Sequence, residues 1–191
     1  MKIKTTKIKD LILIEPDIFQ DERGLFLETY HQLKYKKLGI PASFKQDNLS
    51  VSKKGVLRGL HLQLEPWAQG KLVQVARGKV LDVAVDARPD SSTLGEWVMV
   101  ELNAEKRNQF FIPEGFLHGF VALEDETILT YKCTNFYQAE AEVCVRWDDP
   151  DLQIDWRLSQ YNLQPPLVSA KDKQGISWRE LIKILRSKNP G

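Results

Sequence analysis

Short alternations of apolar and polar residues, separated by turn signals, run along most of the chain: KIKTTKI, LILIE, GLFLETY, FKQDNLSVS, VLRGLHLQL, KLVQVARG, KVLDVAVDA, EWVMVEL, QFFIP, GFVALE, ETILTYKCT and EVCVRW. A period of two is the strand period, because successive side chains on an extended backbone point to opposite faces. So many short strands would expose unpaired edges unless they close on themselves or form two packed sheets. The pattern therefore predicts an all-β chain, a double-sheet jelly roll with a few short helices. One short helix is expected from about Tyr30 to Leu38, stopped by Gly39 and the Ile40-Pro41 pair. A second is C-terminal, where Ser177 and Glu180 have capping-box spacing and Trp178, Leu181, Ile182 and Leu185 mark one face. No repeat, linker or low-complexity tract interrupts the 191 residues, so one domain over 1–191 is expected.

Composition narrows the class. The chain is 42% hydrophobic and 28% charged, with 11 Gly and 9 Pro, which excludes collagen-like, coiled-coil and disordered readings. Lys and Arg total 27 against 26 Asp and Glu, a formal net charge of +1. No whole-molecule field or basic stripe recommends nucleic acid or a membrane surface as partner, and any basic site must be local. The apolar runs are too short for a membrane span and MKIKTTKIKD lacks the apolar centre of a signal peptide, so the cytoplasm is expected.

Cys133 and Cys144 have no CxxC spacing and sit among hydrophobic residues, which predicts two buried thiols and no zinc site. The three histidines, His31, His61 and His118, are followed two residues on by Leu33, Gln63 and Phe120. Neither H-x-H nor H-x-D/E occurs, so no metal is expected, although a barrel can bring distant ligands together.

Other chemistry lies where polar groups interrupt apolar strands. In VLRGLHLQL, His61 shares a face with Gln63, whereas Arg58 joins them only if the strand bulges or twists at Gly59. His61 is equally readable as a satisfied core histidine. Lys71 shares a face with Val73 and Val75 and either lines a cavity or snorkels to water. Tyr131 shares a face with Thr127, Leu129 and Cys133 and should point inward. Asp82, Asp86 and Asp172 are carboxylates near apolar strands, each able to orient a histidine or pair with an arginine.

Taken in order, DERGLFLETY, QDNLSVSKKGVLRGLHLQ, KLVQVARGKVLDVAVDAR, IPEGFLHGF, YKCTNFY and S-A-K-D resemble the dTDP-4-dehydrorhamnose 3,5-epimerase family from about Asp21 to Asp172. The resemblance implies a cofactor-free cupin that takes a dTDP-4-keto-6-deoxyhexose and inverts C3 and C5. Both carbons flank the C4 ketone, so loss of either proton gives an enolate delocalised on that oxygen. The protein has to supply a base, an acid on the opposite ring face and a cation. By resemblance these are His61 as base, Asp172 as its carboxylate partner, Tyr131 as acid and Lys71 as cation.

The same resemblance assigns substrate contacts to Arg23, Phe26, Glu28, Gln46, Asn48, Arg58, His118, Tyr137, Glu142 and Lys171. Arg23 and Arg58 would serve the pyrophosphate, whose roughly two negative charges suit guanidinium forks. Arg23 would act in a neighbouring subunit through exchanged N-terminal strands, which implies a homodimer. Leu62, Ser92, Leu94, Leu117, Ala139 and Arg157 depart from the family pattern. None of these is a proposed base, acid or cation, so pocket shape and nucleotide preference are affected rather than reaction class. Inversion of one carbon, a different 4-keto nucleotide sugar, or a non-catalytic nucleotide-sugar-binding cupin are the competing readings.

Overall fold

The computed structural model describes residues 1–40 and 43–188. The chain begins with β1 (Lys2–Thr5), β2 (Ile12–Glu15) and a hairpin of β3 (Ile18–Asp21) and β4 (Gly24–Leu27), followed by α1 (Gln32–Lys37). The central strands are β5 (Gln46–Ser52), β6 (Val56–Gln63), β7 (Lys71–Arg77), β8 (Lys79–Asp86), β9 (Trp97–Asn103), β10 (Gln109–Ile112), β11 (Phe116–Ala122) and β12 (Thr127–Cys133). Then come β13 (Glu142–Cys144), β14 (Leu167–Val168), α2 (Ala170–Lys173) and α3 (Trp178–Lys188).

Two six-stranded sheets carry the fold. One has the order β1-β2-β10-β7-β12-β5; the other is β13-β6-β11-β8-β9, with β14 added in parallel beside β6. This is the expected double-sheet jelly roll. Between the sheets lie Val73, Val75, Phe110, Ile112 and Leu129 from the first, and Val80, Ala84, Leu102, Phe116 and Phe120 from the second. The back of the second sheet is buried too: Leu81, Val83, Val85, Leu117 and Val121 pack under Trp156, Leu158, Leu163 and Leu181 of the C-terminal segment. That double burial explains why KVLDVAVDA, though it alternates, carries apolar residues on both faces.

The structure differs from expectation in four places. β3, a strand absent from the predicted alternations, pairs with β4 from Ile18↔Leu27 to Asp21↔Gly24, and DERG is the turn of this hairpin. Helix α1 is a turn shorter than the expected span, and Pro41, one of its expected stops, lies outside the described residues. In α3 the capping box forms, with Ser177 N–H donating to Glu180 Oε2 at 2.8 Å and Glu180 N–H to Ser177 Oγ at 3.3 Å, but Ile184 rather than Ile182 packs beside Leu181. Cys133 is buried as expected, while Cys144 is only half-buried because β13 is a three-residue strand at the sheet edge. Among the described residues no helix is long and apolar enough to cross a membrane.

Candidate active site

The site grows from an irregularity in β6. His118 of β11 pairs with His61, but Phe120 pairs with Arg58, so two steps on β11 oppose three on β6. This is the bulge that Arg58 requires in order to share a side with His61, and both line one cavity of about 1020 Å³. Gly59 makes the bulge possible, with φ +114° and no room for a side chain: a Cβ there would lie 2.6 Å from Gly119 Cα and 2.7 Å from the His118 carbonyl oxygen. Arg58 then reaches across to the first sheet, donating to Ser52 Oγ and the Val51 carbonyl, each at 3.3 Å.

Two histidine–aspartate pairs enter this cavity. Asp172, on α2, accepts from His61 Nε2 at 2.8 Å, which leaves Nδ1 as the nitrogen free to meet a ligand. Its backbone N–H is capped by Ser169 Oγ, and its Oδ2 accepts from the Gly59 N–H at 3.2 Å, tying the carboxylate to the bulge. Burial pushes the Asp172 carboxyl up, but its bonds to His61, Gly59 N–H and the Cys144 thiol outweigh that, and the net shift is downward. The second pair joins His118 Nε2 to both oxygens of Asp82 at 3.0 Å, so this histidine is bonded to a carboxylate and not to backbone. Burial holds His118 below the usual histidine range despite Asp82, with Lys71 and His61 adding to the depression.

The other sheet contributes Lys71 and Tyr131. Tyr131 pairs with Val73, and Lys71 with Cys133, so the two side chains lie on neighbouring strands with Lys71 Nζ 6.0 Å from the Tyr131 ring. Lys71 therefore lines the cavity instead of snorkelling outward. Burial lowers its ammonium, partly offset by Cys133, Asp82 and Glu142, and among the described residues no carboxylate pairs with it at ion-pair distance. Burial raises the Tyr131 phenol, which keeps it protonated as an acid must be.

At the rim, Tyr137 OH donates to Glu142 Oε2 at 3.2 Å and Lys171 bonds the same oxygen. Gln46 Nε2 donates to Asn48 Oδ1 at 3.0 Å, and both face a smaller chamber that also touches His61, Lys71 and Tyr131. Of the fourteen expected site residues, three stand apart. Arg23 is 84% exposed and paired with Asp21, Phe26 is 69% exposed on the β3–β4 hairpin, and Glu28 pairs with Lys34 at 3.0 Å. None of the three lines the cavity of its own chain.

Sequence reasoning missed the brace supplied by Gln63. Its Nε2 donates to the Trp67 and Phe136 carbonyls at 2.6 and 3.0 Å, and its Oε1 accepts from Gln138 N–H at 2.6 Å. This fixes the loop that carries Tyr137. A buried glutamine beside a functional histidine was the available signal. Cys144 beside the dyad carried no such signal, since only strand pairing brings it there.

Comparison with known proteins gives a consistent result. The family model described as dTDP-4-dehydrorhamnose 3,5-epimerase matches residues 5–180. A Methanothermobacter thermautotrophicus protein of that name is 49% identical over 176 residues, 92% of each chain. One from Pseudomonas aeruginosa is 49% identical over 181 residues, covering 94% of this chain and 97% of the relative. The crystal structure of a Legionella pneumophila dTDP-6-deoxy-D-glucose-3,5-epimerase in complex with dTDP-4-keto-L-rhamnose superposes with a TM-score of 0.89. It is 45% identical and covers 94% of this chain and 96% of its own.

Proposed function

The chain belongs to the dTDP-4-dehydrorhamnose 3,5-epimerase family, isomerases acting on a sugar nucleotide, and on that footing we propose how its residues divide the work. The substrate is dTDP-4-dehydro-6-deoxy-D-glucose and the product dTDP-4-dehydro-L-rhamnose. His61 Nδ1 removes the proton at C3 or C5, and Asp172 stabilises the imidazolium that results. Lys71 places its ammonium against the C4 oxygen as the enolate forms, where a dry site makes the charge effective. Tyr131 returns a proton to the opposite face, and the carbon is inverted. The substrate's ketone is the electron sink, so the relay calls for no cofactor.

Arg58 and Lys171 attract the pyrophosphate, while Gln46, Asn48, His118, Tyr137 and Glu142 hold sugar or nucleotide around the relay. Arg23, Phe26 and Glu28 act in the second subunit of a homodimer, carried there by the N-terminal strands. Support for that exchange comes from Phe19, Leu25 and Phe26, which leave the hairpin apolar and exposed, and from Leu49 and Val51, which point outward on edge strand β5. The chain acts as one cupin domain in the cytoplasm.

The observation that carries this reading is the pairing of His61 with Asp172 at 2.8 Å in a cavity that Lys71 and Tyr131 also line. Incubation with dTDP-4-dehydro-6-deoxyglucose in deuterated water, followed by NMR, is expected to label C3 and C5. Label at one carbon would make the protein a mono-epimerase, and binding without label would make it a passive module. His61→Ala is expected to remove exchange, by the factor of about 10²–10⁴ typical of a general base or more, while leaving the circular dichroism spectrum unchanged.

A further inference from the structure

Cys144 takes no part in the proposed relay, yet its thiol sits beside it. It is the cross-strand partner of His61, and its Sγ lies 3.7 Å from Asp172 Oδ1, the oxygen that holds His61 Nε2. Two strands and a helix thus bring a nitrogen, a sulfur and an oxygen donor within 4.8 Å of one another. We propose that His61, Cys144 and Asp172 form a site for a thiophilic divalent cation of the Zn²⁺ or Cd²⁺ class, and that the ion shuts off proton abstraction.

The donor set selects the class of ion. Hard cations such as Mg²⁺ and Ca²⁺ take oxygen ligands, whereas mixed nitrogen, sulfur and oxygen ligation suits Zn²⁺ and its softer analogues. Metal–ligand bonds of about 2.0–2.3 Å in a tetrahedron set ligand separations of roughly 3.3–3.6 Å. The Cys144–Asp172 separation of 3.7 Å is already close to that. The His61–Asp172 contact of 2.8 Å has to open by about half an ångström. Three protein donors leave a fourth position for water, and the cavity lined by His61 and Asp172 provides the entry path.

Inhibition follows from the proton inventory. In the resting dyad Nε2 carries the ring proton and Nδ1 the lone pair. Coordination uses an Nε2 lone pair, so the ring proton moves to Nδ1, and the thiol proton passes to solvent because a coordinated thiol is deprotonated outright. One proton leaves, and thiolate and carboxylate balance the 2+ charge. An imidazole protonated at Nδ1 has no lone pair for the substrate. The site itself rests on geometry alone, whereas the inhibition rests on the functional reading above.

Metal-free protein titrated with Cd²⁺ is expected to develop a thiolate-to-metal charge-transfer band in the ultraviolet that saturates at one ion per chain. The band is expected to be absent from Cys144→Ala and Cys144→Ser, both of which retain Cys133. The Cd²⁺ concentration that halves deuterium exchange, relative to each protein's own metal-free rate, is expected to rise on the order of tenfold or more in the variants. A parent with no band, a band that survives in both variants, or unchanged sensitivity to Cd²⁺ would overturn the proposal. If the metal-free parent exchanged no deuterium, the functional reading would fail while the band still decided the site.

Discussion

Asp82 and Asp86 lie on one face of β8, and their neighbours give them different work. Asp82 meets His118 across the strand pair and sets the orientation of a ring at the cavity wall. Asp86 faces Arg88, Ser91 and Thr93, which bond its oxygens at 2.6–2.9 Å. Burial pushes the Asp86 carboxyl up, but these bonds prevail and hold it at about 2. A carboxyl depressed from about 3.9 to about 2 contributes about 2–3 kcal/mol, present in full above roughly pH 5. That contribution is lost as pH falls through the folded value. Asp86→Asn is therefore expected to lower stability at pH 7 and flatten the decline between about pH 5 and 2. Urea unfolding across that range checks it; parallel pH profiles for parent and variant would count against the assignment. The residue type alone offered both roles, histidine partner and arginine partner, and only the neighbours separated them.

At the scale of elements, the bulge in β6 controls the site. Regular alternation would turn Arg58 and His61 to opposite faces, and the extra residue at Gly59 brings them together. Gly59→Ala combines an unfavourable positive φ with a Cβ 2.6 Å from Gly119 Cα. The expected loss is about 2 kcal/mol or more, a fall in Tm of about 5 °C or more for a chain of this length, together with reduced exchange activity. Calorimetry beside the deuterium assay tests this, and a variant with parental Tm and rate would contradict it. The bulge was legible because R-G-L-H put a polar pair out of phase around a glycine. The β3 strand was not, because Ile18–Asp21 pairs only with β4 and has no buried face to impose alternation. Nor was the half-exposure of Cys144, which depends on β13 having a neighbour on one side alone.

For the whole molecule, the second sheet and α2 bring His61 and Asp172 from one side and the first sheet brings Lys71 and Tyr131 from the other into one hollow, while the hairpin bearing Arg23 stands outside it. A homodimer that exchanges this hairpin is expected to sediment as a dimer, and Phe19→Asp with Phe26→Asp to sediment as a monomer. Arg23→Ala is expected to lower kcat/KM about 10- to 100-fold, the equivalent of losing one charged hydrogen bond. A fully active monomer would refute the arrangement. The class of fold was legible from the chain, because strand periodicity is a local property written into consecutive residues. The family was legible there too, and the proposed base, acid and cation are what its ordered motifs imply by resemblance. Three-dimensional packing was needed to show that Asp82 serves His118, where Gln63 braces the pocket and how Cys144 meets the dyad. Those contacts join residues distant along the chain, and their distances depend on register, bulge and sheet packing, which no local pattern encodes.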